Sequence, residues 1–329
     1  MTTLKNNSQS ASHPFNYVIA KLDTEPLPLF ALTDLYIDFE DSPEGPRGVN
    51  LLKLLCGIKG LPLQSDAVKM AQKVDQDTQQ LLITINGAVE GTNAAHLKEI
   101  GTSSVPGILA VPGPLLAASQ GLISMGFYED ALAVLNHASS TFPKSIRVKQ
   151  LIGLALRRLK RYPEAIDVLS ELKAAGHQDP ETLGILGAAW DGRYQETGKM
   201  LHLRRSRELY RTAFQGDEKN YYTGINAATK SLFLGEFSES ERLASEVFPL
   251  VSAASDGNDF WAACTLGEIY LLQRNLEAAE KQYQKVIDKH SSKSGDLLGT
   301  HSQAKRICAA LGLTEEESKK VLLPFDLLV

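Results

Sequence analysis

The chain has 329 residues, 43% of them hydrophobic and 22% charged, with a net charge of −5. That length holds a large core, in two domains or in one long repeat array. The mildly acidic balance argues against a general binder of nucleic acid or membrane surface, and the composition is that of a soluble globular protein. Cys56, Cys264 and Cys308 are odd in number, far apart and without a C-x-x-C spacing. They therefore suggest neither a zinc site nor a disulfide framework, but small buried residues in a reducing, cytosolic setting.

Residues 1–14 are rich in Ser, Asn and Thr and read as a disordered tail. Tyr17-Val18-Ile19-Ala20 and Leu35-Tyr36-Ile37-Asp38-Phe39 are strand-like, and Asp41 to Pro46 reads as a turn. Short helices are expected over Val49–Ile58 and Ala94–Ile100. A longer one is expected over Ser65–Ile85, with Ser65 as its N-cap and Val68, Ala71, Val74, Leu81 and Leu82 on its apolar face. Gly101–Pro114 reads as a Pro/Gly/Ser linker, which places a boundary near residue 110. The most apolar window, Val105–Ala118, holds Pro106, Pro112 and Pro114 and is too short and broken to span a bilayer. No signal peptide is expected.

Beyond that boundary the chain repeats. Gly126-Phe127-Tyr128-Glu129-Asp130-Ala131-Leu132 returns as Lys160-Arg161-Tyr162-Pro163-Glu164-Ala165-Ile166, a step of 34 from Ala131 to Ala165. Twelve residues before each alanine stands a small residue, Ser119 and then Gly153, and Pro143 follows Ala131 by twelve. A third unit starts near Asp179 with Leu183, Leu186, Gly187 and Trp190. It resumes at Ser206, Tyr210 and Ala213 after about seven extra residues. A fourth runs from Tyr221 to Ser252. A fifth carries Leu266, Gly267 and Tyr270, then Leu276, Ala279 and Tyr283. Helical capping segments follow, the last behind Thr314-Glu315-Glu316-Glu317, which has capping-box spacing.

These residues resemble tetratricopeptide repeats over 112–290. The resemblance implies an all-α fold, an α-solenoid of about five helix pairs with C-terminal capping helices, preceded by a small mixed N-terminal region. The expected divisions are 1–14, 15–110, 111–290 and 291–329. Stacked pairs would bury a continuous core and leave a concave wall lined by the first helix, A, of each pair.

A narrower resemblance covers roughly 180–310. Glu181-Thr182-Leu183-Gly184-Ile185-Leu186-Gly187, the insertion, Arg207-Glu208-Leu209-Tyr210-Arg211-Thr212-Ala213-Phe214, Tyr221 to Thr229 and Asp259 to Glu268 carry it. They look like the divergent tetratricopeptide region known as the TRAF-binding domain of apoptosis signal-regulating kinases, which also occurs in bacterial conflict-system proteins. That resemblance implies regulatory work, a bacterial immune setting and the sensing of nucleotide-derived signals. TRAF binding itself is an animal function and is not carried over. Such proteins often place lysine after the aromatic of the third helix A. Here Asp191-Gly192-Arg193 stands instead, which puts a cationic contact there in doubt.

No signature of catalysis is present: no Walker A, no dinucleotide fingerprint, no H-E-x-x-H and no G-x-S-x-G. The seven histidines form no i, i+4 ligand pair. No catalytic residue, metal or cofactor is expected. Lys144–Arg211 holds fourteen Lys/Arg against eight Asp/Glu, leaving the remainder at −11. Arg157-Arg158-Leu159-Lys160-Arg161 is one cluster. In the other, Arg204, Arg207 and Arg211 share one helix face, with Arg193 near by. Such a face could hold phosphate bidentately, or it could be a solvated surface partly paired with Glu208.

By register, Tyr222, Ile225 and Thr229 should face the concave wall, with Trp261, Cys264 and Glu268 in the next repeat. Gly224 stands where a large aromatic is usual, at a cost of about 1 kcal/mol relative to alanine. It is either a notch for a neighbouring helix or the floor of a slot for a flat ligand. The expected ligand-binding set is Arg193, Arg204, Arg207, Arg211, Tyr221, Tyr222, Asn226, Thr229, Trp261 and Glu268. In it the arginines hold an anion, the aromatics stack and Asn226 orients. The expected function is a non-enzymatic sensor of a small anionic, nucleotide-derived molecule that relays binding to a protein partner. The alternatives are a scaffold for a partner helix or peptide and an enzyme using the acidic stretch Tyr36–Asp41. Neither nucleic acid nor membrane is an expected partner.

Overall fold

The computed structural model describes residues 19–21, 36–38, 48–103, 111–252, 259–290 and 294–328. The expected tail, the Asp41–Pro46 turn and residues 104–110 of the Gly101–Pro114 linker lie outside them, as do Glu40 and Asp41 of the acidic stretch. Gly101, Thr102, Gly113 and Pro114 of that linker are helical. The fold is the all-α tetratricopeptide arrangement, in two compact units, Met1–Thr141 and Phe142–Val329.

In the first unit, β1 (Ile19–Lys21) pairs in parallel with β2 (Tyr36–Asp38), Ile19 opposite Tyr36. α1 (Gly48–Lys59) buries none of its residues fully, and α2 (Ser65–Glu90) buries only Ile85 and Ala88. Val68, Ala71, Val74, Leu81 and Leu82 are half-buried, the loose apolar face that their spacing describes. Ser65 is the first helical residue of α2 rather than its cap. The cap position falls to Gln64, whose side chain makes no capping bond. α3 (Ala94–Thr102) is capped by Asn93, which accepts from the His96 amide at 3.1 Å. α4 (Gly113–Ser124) starts behind Pro112, with Pro114 in its first turn where no amide hydrogen is needed. α4 packs against α5 (Tyr128–Thr141) as the first repeat, and the buried Ser119 returns its hydroxyl to the Leu115 carbonyl at 2.6 Å.

The second unit carries four further pairs: α6 (Ile146–Arg158) with α7 (Tyr162–Ala174), α8 (Pro180–Thr197) with α9 (Met200–Gly216), α10 (Tyr221–Phe233) with α11 (Phe237–Ser252), and α12 (Phe260–Leu272) with α13 (Leu276–His290). Each A helix begins at a side-chain cap, in turn Ser145, Asp179, Asn220 and Asp259. Each cap satisfies amide donors the helix cannot, worth about 1 kcal/mol. The A-to-B turns pass through a left-handed residue. It is a glycine at Gly235 (φ 78°) but a side-chain-bearing residue at Lys160 (60°) and Arg274 (59°). Arg274 adds a guanidinium bond to the Leu311 carbonyl at 2.7 Å.

The small residues in mid-helix A act as notches. A Cβ on Gly153 would lie 2.6 Å from Leu169, and one on Gly267 would lie 2.6 Å from Tyr283. The seven extra residues of the third repeat do not form a loop. They carry α8 past Trp190 to Thr197, where Gly198 (φ 66°) ends it. This extension positions Asp191 and Gln195. The array closes with α14 (Ser294–Leu311), α15 (Glu315–Leu322) and a 3-10 segment over Leu323–Leu328. The Thr314–Glu317 capping box is formed, with both reciprocal bonds present. Among the described residues no helix is long and apolar enough to cross a membrane, and no cluster of His, Cys, Asp and Glu could hold a metal.

Candidate functional site: a cavity on the A-helix wall of the second unit

Seven helices of the second unit line a cavity of about 400 Å³, with Tyr162 of α7 and Tyr210 of α9 among the lining residues. Helix spacing selects its lining. On α10, Tyr222, Asn226 and Lys230 follow one another at i, i+4 and i+8 along one face. On α12 the contributing side chains are Trp261, Cys264, Thr265 and Glu268, and on α14 they are Thr300, Gln303 and Arg306. α6 supplies Arg157, and the extended end of α8 supplies Asp191 and Gln195.

The floor is a charged network. Asp191, 7% exposed, accepts from both terminal nitrogens of Arg306 at 3.0 Å, from the Lys230 ammonium at 3.1 Å and from Gln195 at 3.0 Å. Burial alone would raise the Asp191 carboxyl. The Lys230 charge and the paired guanidinium outweigh burial and hold it well below the ordinary carboxylate range. Lys230 is only 2% exposed, and burial draws it below the ordinary lysine value against the pull of Asp191. Arg306 also lies over the Phe233 ring, 4.6 Å from its centroid. Glu268 accepts from the Thr229 hydroxyl and from Gln303 at 3.3 Å. Burial pushes its carboxyl above the usual range, and those bonds and the neighbouring cations only partly oppose this.

The mouth is aromatic. Tyr222 and Trp261 are 49% and 50% exposed, although both stand on the A-helix wall. Tyr222 meets Tyr210 edge-on, ring centroids 6.0 Å apart, and Trp261 meets Phe260 edge-on at 4.8 Å. Both rings are thus half-exposed and line the cavity. Asn226 donates to the Tyr222 carbonyl at 2.9 Å, which uses its amide nitrogen and leaves its oxygen for another donor. Arg157 makes no ion pair among the described residues, and its Nε is buried without a hydrogen-bond partner. A second cavity of about 400 Å³ adjoins the first and shares Arg157, Ala188, Tyr222, Trp261 and Thr265 with it. Its other walls include the apolar Leu154 and Ile185, with Tyr221 and Arg158.

Of the expected ligand-binding residues, Tyr222, Asn226, Trp261 and Glu268 come together in the inner cavity, and Tyr221 lines the adjoining one. Thr229 is fully buried behind them, holding Glu268. The arginines stand elsewhere. Arg193 pairs with Glu196 at 2.8 Å. Arg207 pairs with Glu236 and Glu208, and Arg211 pairs with Glu208 at 2.8 Å. Arg204 lines a separate cavity of about 590 Å³, in which Arg205 lies 4.5 Å over the Trp190 ring. α9 is a B helix, so its polar face does not reach the A-helix wall. Gly224 is a packing notch rather than a slot for a ligand. A Cβ there would lie 2.5 Å from Val247 and 2.9 Å from Phe214, so these two fill the space of the missing aromatic.

Arg157, Asp191, Lys230, Gln303 and Arg306 line the cavity without being among the expected ligand-binding residues. Lys230 had a signal, because it continues the Tyr222–Asn226 face. Arg306 had none, since it pairs with Asp191 across 115 residues.

Fold and repeat spacing together define a tetratricopeptide-repeat protein. The family of Tetratricopeptide Repeats-Sensor matches residues 127–231, which run from the first repeat to the end of α10 and overlap the 180–310 resemblance only in part. No curated protein matches. Among solved structures, a tetratricopeptide-repeat protein of Parabacteroides merdae is 16% identical, with 77% of this chain and 92% of that chain covered and a TM-score of 0.50. A thermophilic tetratricopeptide-repeat protein of Thermus thermophilus is 18% identical, with 62% and 100% covered and a TM-score of 0.49.

Proposed function

We propose that the protein is a non-catalytic sensor whose A-helix cavity binds a small anionic, nucleotide-derived ligand and relays its presence to a protein partner. One observation carries this reading. Arg157, a cation without a carboxylate partner, stands where two cavities meet, beside two half-exposed aromatic rings. A planar guanidinium pairs bidentately with phosphate, and exposed rings stack on bases. The sensor family matched over residues 127–231 agrees with such a role. The expected anion contact moves from the α9 arginines, which neighbouring glutamates engage, to Arg157. A partner peptide on this wall is less well supported. α14 forms one side of the cavity, whereas an extended peptide needs an open groove.

Calorimetry with a panel of nucleotides and NAD derivatives tests the proposal. Binding is expected for at least one of them. Trp261→Ala should weaken it by about 1–3 kcal/mol, the contribution of one stacked base. Arg157→Ala should weaken it and flatten its salt dependence. If no compound binds, or if Trp261→Ala leaves affinity unchanged, the reading fails.

A further inference from the structure

The two ends of the site differ in charge balance, and that difference restricts what each can hold. At the floor, Asp191 already compensates Lys230 and Arg306, with both guanidinium terminal nitrogens engaged. A phosphate there would have to displace Asp191 and sit beside Glu268, leaving a buried carboxylate uncompensated. An uncharged group bearing hydroxyls faces no such conflict. Glu268 takes both of its hydrogen bonds on Oε1, so Oε2 can accept from a ligand hydroxyl. The Asn226 oxygen is also open, and Thr265 and Ser302 add hydroxyls to the same lining. At the other end Leu154, Ile185 and Tyr221 stand with Arg158 and with Glu181, which Arg147 engages, and Arg157 at the junction is a cation without an ion pair among the described residues.

We infer that the ligand is a sugar-bearing nucleoside phosphate, with its sugar end on the Asp191–Glu268 floor, its phosphate linkage at Arg157 and its flat base against Tyr222 and Trp261. This rests on the sensor reading above and goes beyond it by assigning a ligand part to each end of the site.

The test is calorimetric titration of the full chain with the four ribonucleoside diphosphates, the matching triphosphates and the glucose conjugates of the diphosphates. For one base, the conjugate should bind at least about tenfold tighter than the diphosphate, as expected for new hydrogen bonds to a buried charged or polar floor. The triphosphate should show no such gain. Glu268→Gln should lower conjugate affinity more than diphosphate affinity and so remove most of the preference, the readout being the ratio of the two. An unchanged melting curve would show the variant folded, and Thr300→Val, which removes a hydroxyl from the same cavity lining, is a second variant if it is not. If diphosphate and conjugate bind equally, or if the triphosphate binds tightest, the sugar assignment is overturned while the anion-sensing reading survives. If no compound in this panel binds, the sugar assignment falls, and if the NAD derivatives fail as well, the sensor reading falls with it.

Discussion

The second unit holds two arginine-rich regions of opposite character. Along α9, Arg207 and Arg211 meet Glu208 on their own helix, and Arg207 adds Glu236. The Glu208 pairs are local and partly solvated, the kind that contribute little, whereas the Glu236 pair ties α9 to the next repeat. In the cavity, Lys230 and Arg306 meet Asp191 from helices that are distant in sequence, and Lys230 has almost no contact with water. The α9 group is conspicuous in sequence and nearly neutralised in space. The cavity group is invisible in sequence and holds the cap helix α14 to the third repeat. A run of like charges along a helix thus reports its solvated face. The cations that shape a site are those that the fold collects one at a time.

The strongest way to break this contrast is Asp191→Ala. It leaves Lys230 buried and Arg306 unpaired, so a loss of about 3–5 kcal/mol is expected in chemical denaturation. The sign with pH follows from the depressed Asp191 carboxyl. Its stabilising contribution is fully present above the ordinary aspartate value of about 3.9 and is lost as pH falls through the lower folded-state value. Wild type and variant should therefore converge in strong acid. A variant as stable as wild type at neutral pH would remove the claim that the floor network holds the cap.

The repeats were legible because their physics is periodic. The step from Ala131 to Ala165, the notch glycines and the Thr314–Glu317 box each specify a local geometry, and each geometry is present. The insertion was seen as extra length, but whether it looped out or extended α8 depended on how Gly192 and Tyr162 meet. A Cβ on Gly192 would lie 2.3 Å from the Tyr162 ring. Half of the cavity was legible from register alone, since Tyr222 and Trp261 lie on the faces that A helices expose. The remainder was not, because Asp191, Lys230 and Arg306 meet only after three repeats and the cap have stacked.

Gly224 sharpens the comparison, because it sits on the cavity helix but serves packing. Gly224→Ala adds a methyl against Val247 and Phe214. Overpacking costs about 1–3 kcal/mol and outweighs the helix propensity gained. The expected result is a lower melting temperature with ligand affinity within about twofold. A weakened affinity at unchanged stability would return Gly224 to the site.

The smallest effect belongs to the conspicuous arginines. Arg204→Ala with Arg211→Ala removes two cations that stand away from the cavity, one of them paired with a partly exposed glutamate. Such surface changes usually stay within about 0.5 kcal/mol. The double variant should unfold like wild type and bind the same ligand with the same affinity. A drop in affinity comparable to that of Arg157→Ala would mean that the α9 face takes part in binding after all. The anion would then bridge two faces of the third repeat rather than enter the A-helix wall, and the contrast between the two regions would collapse.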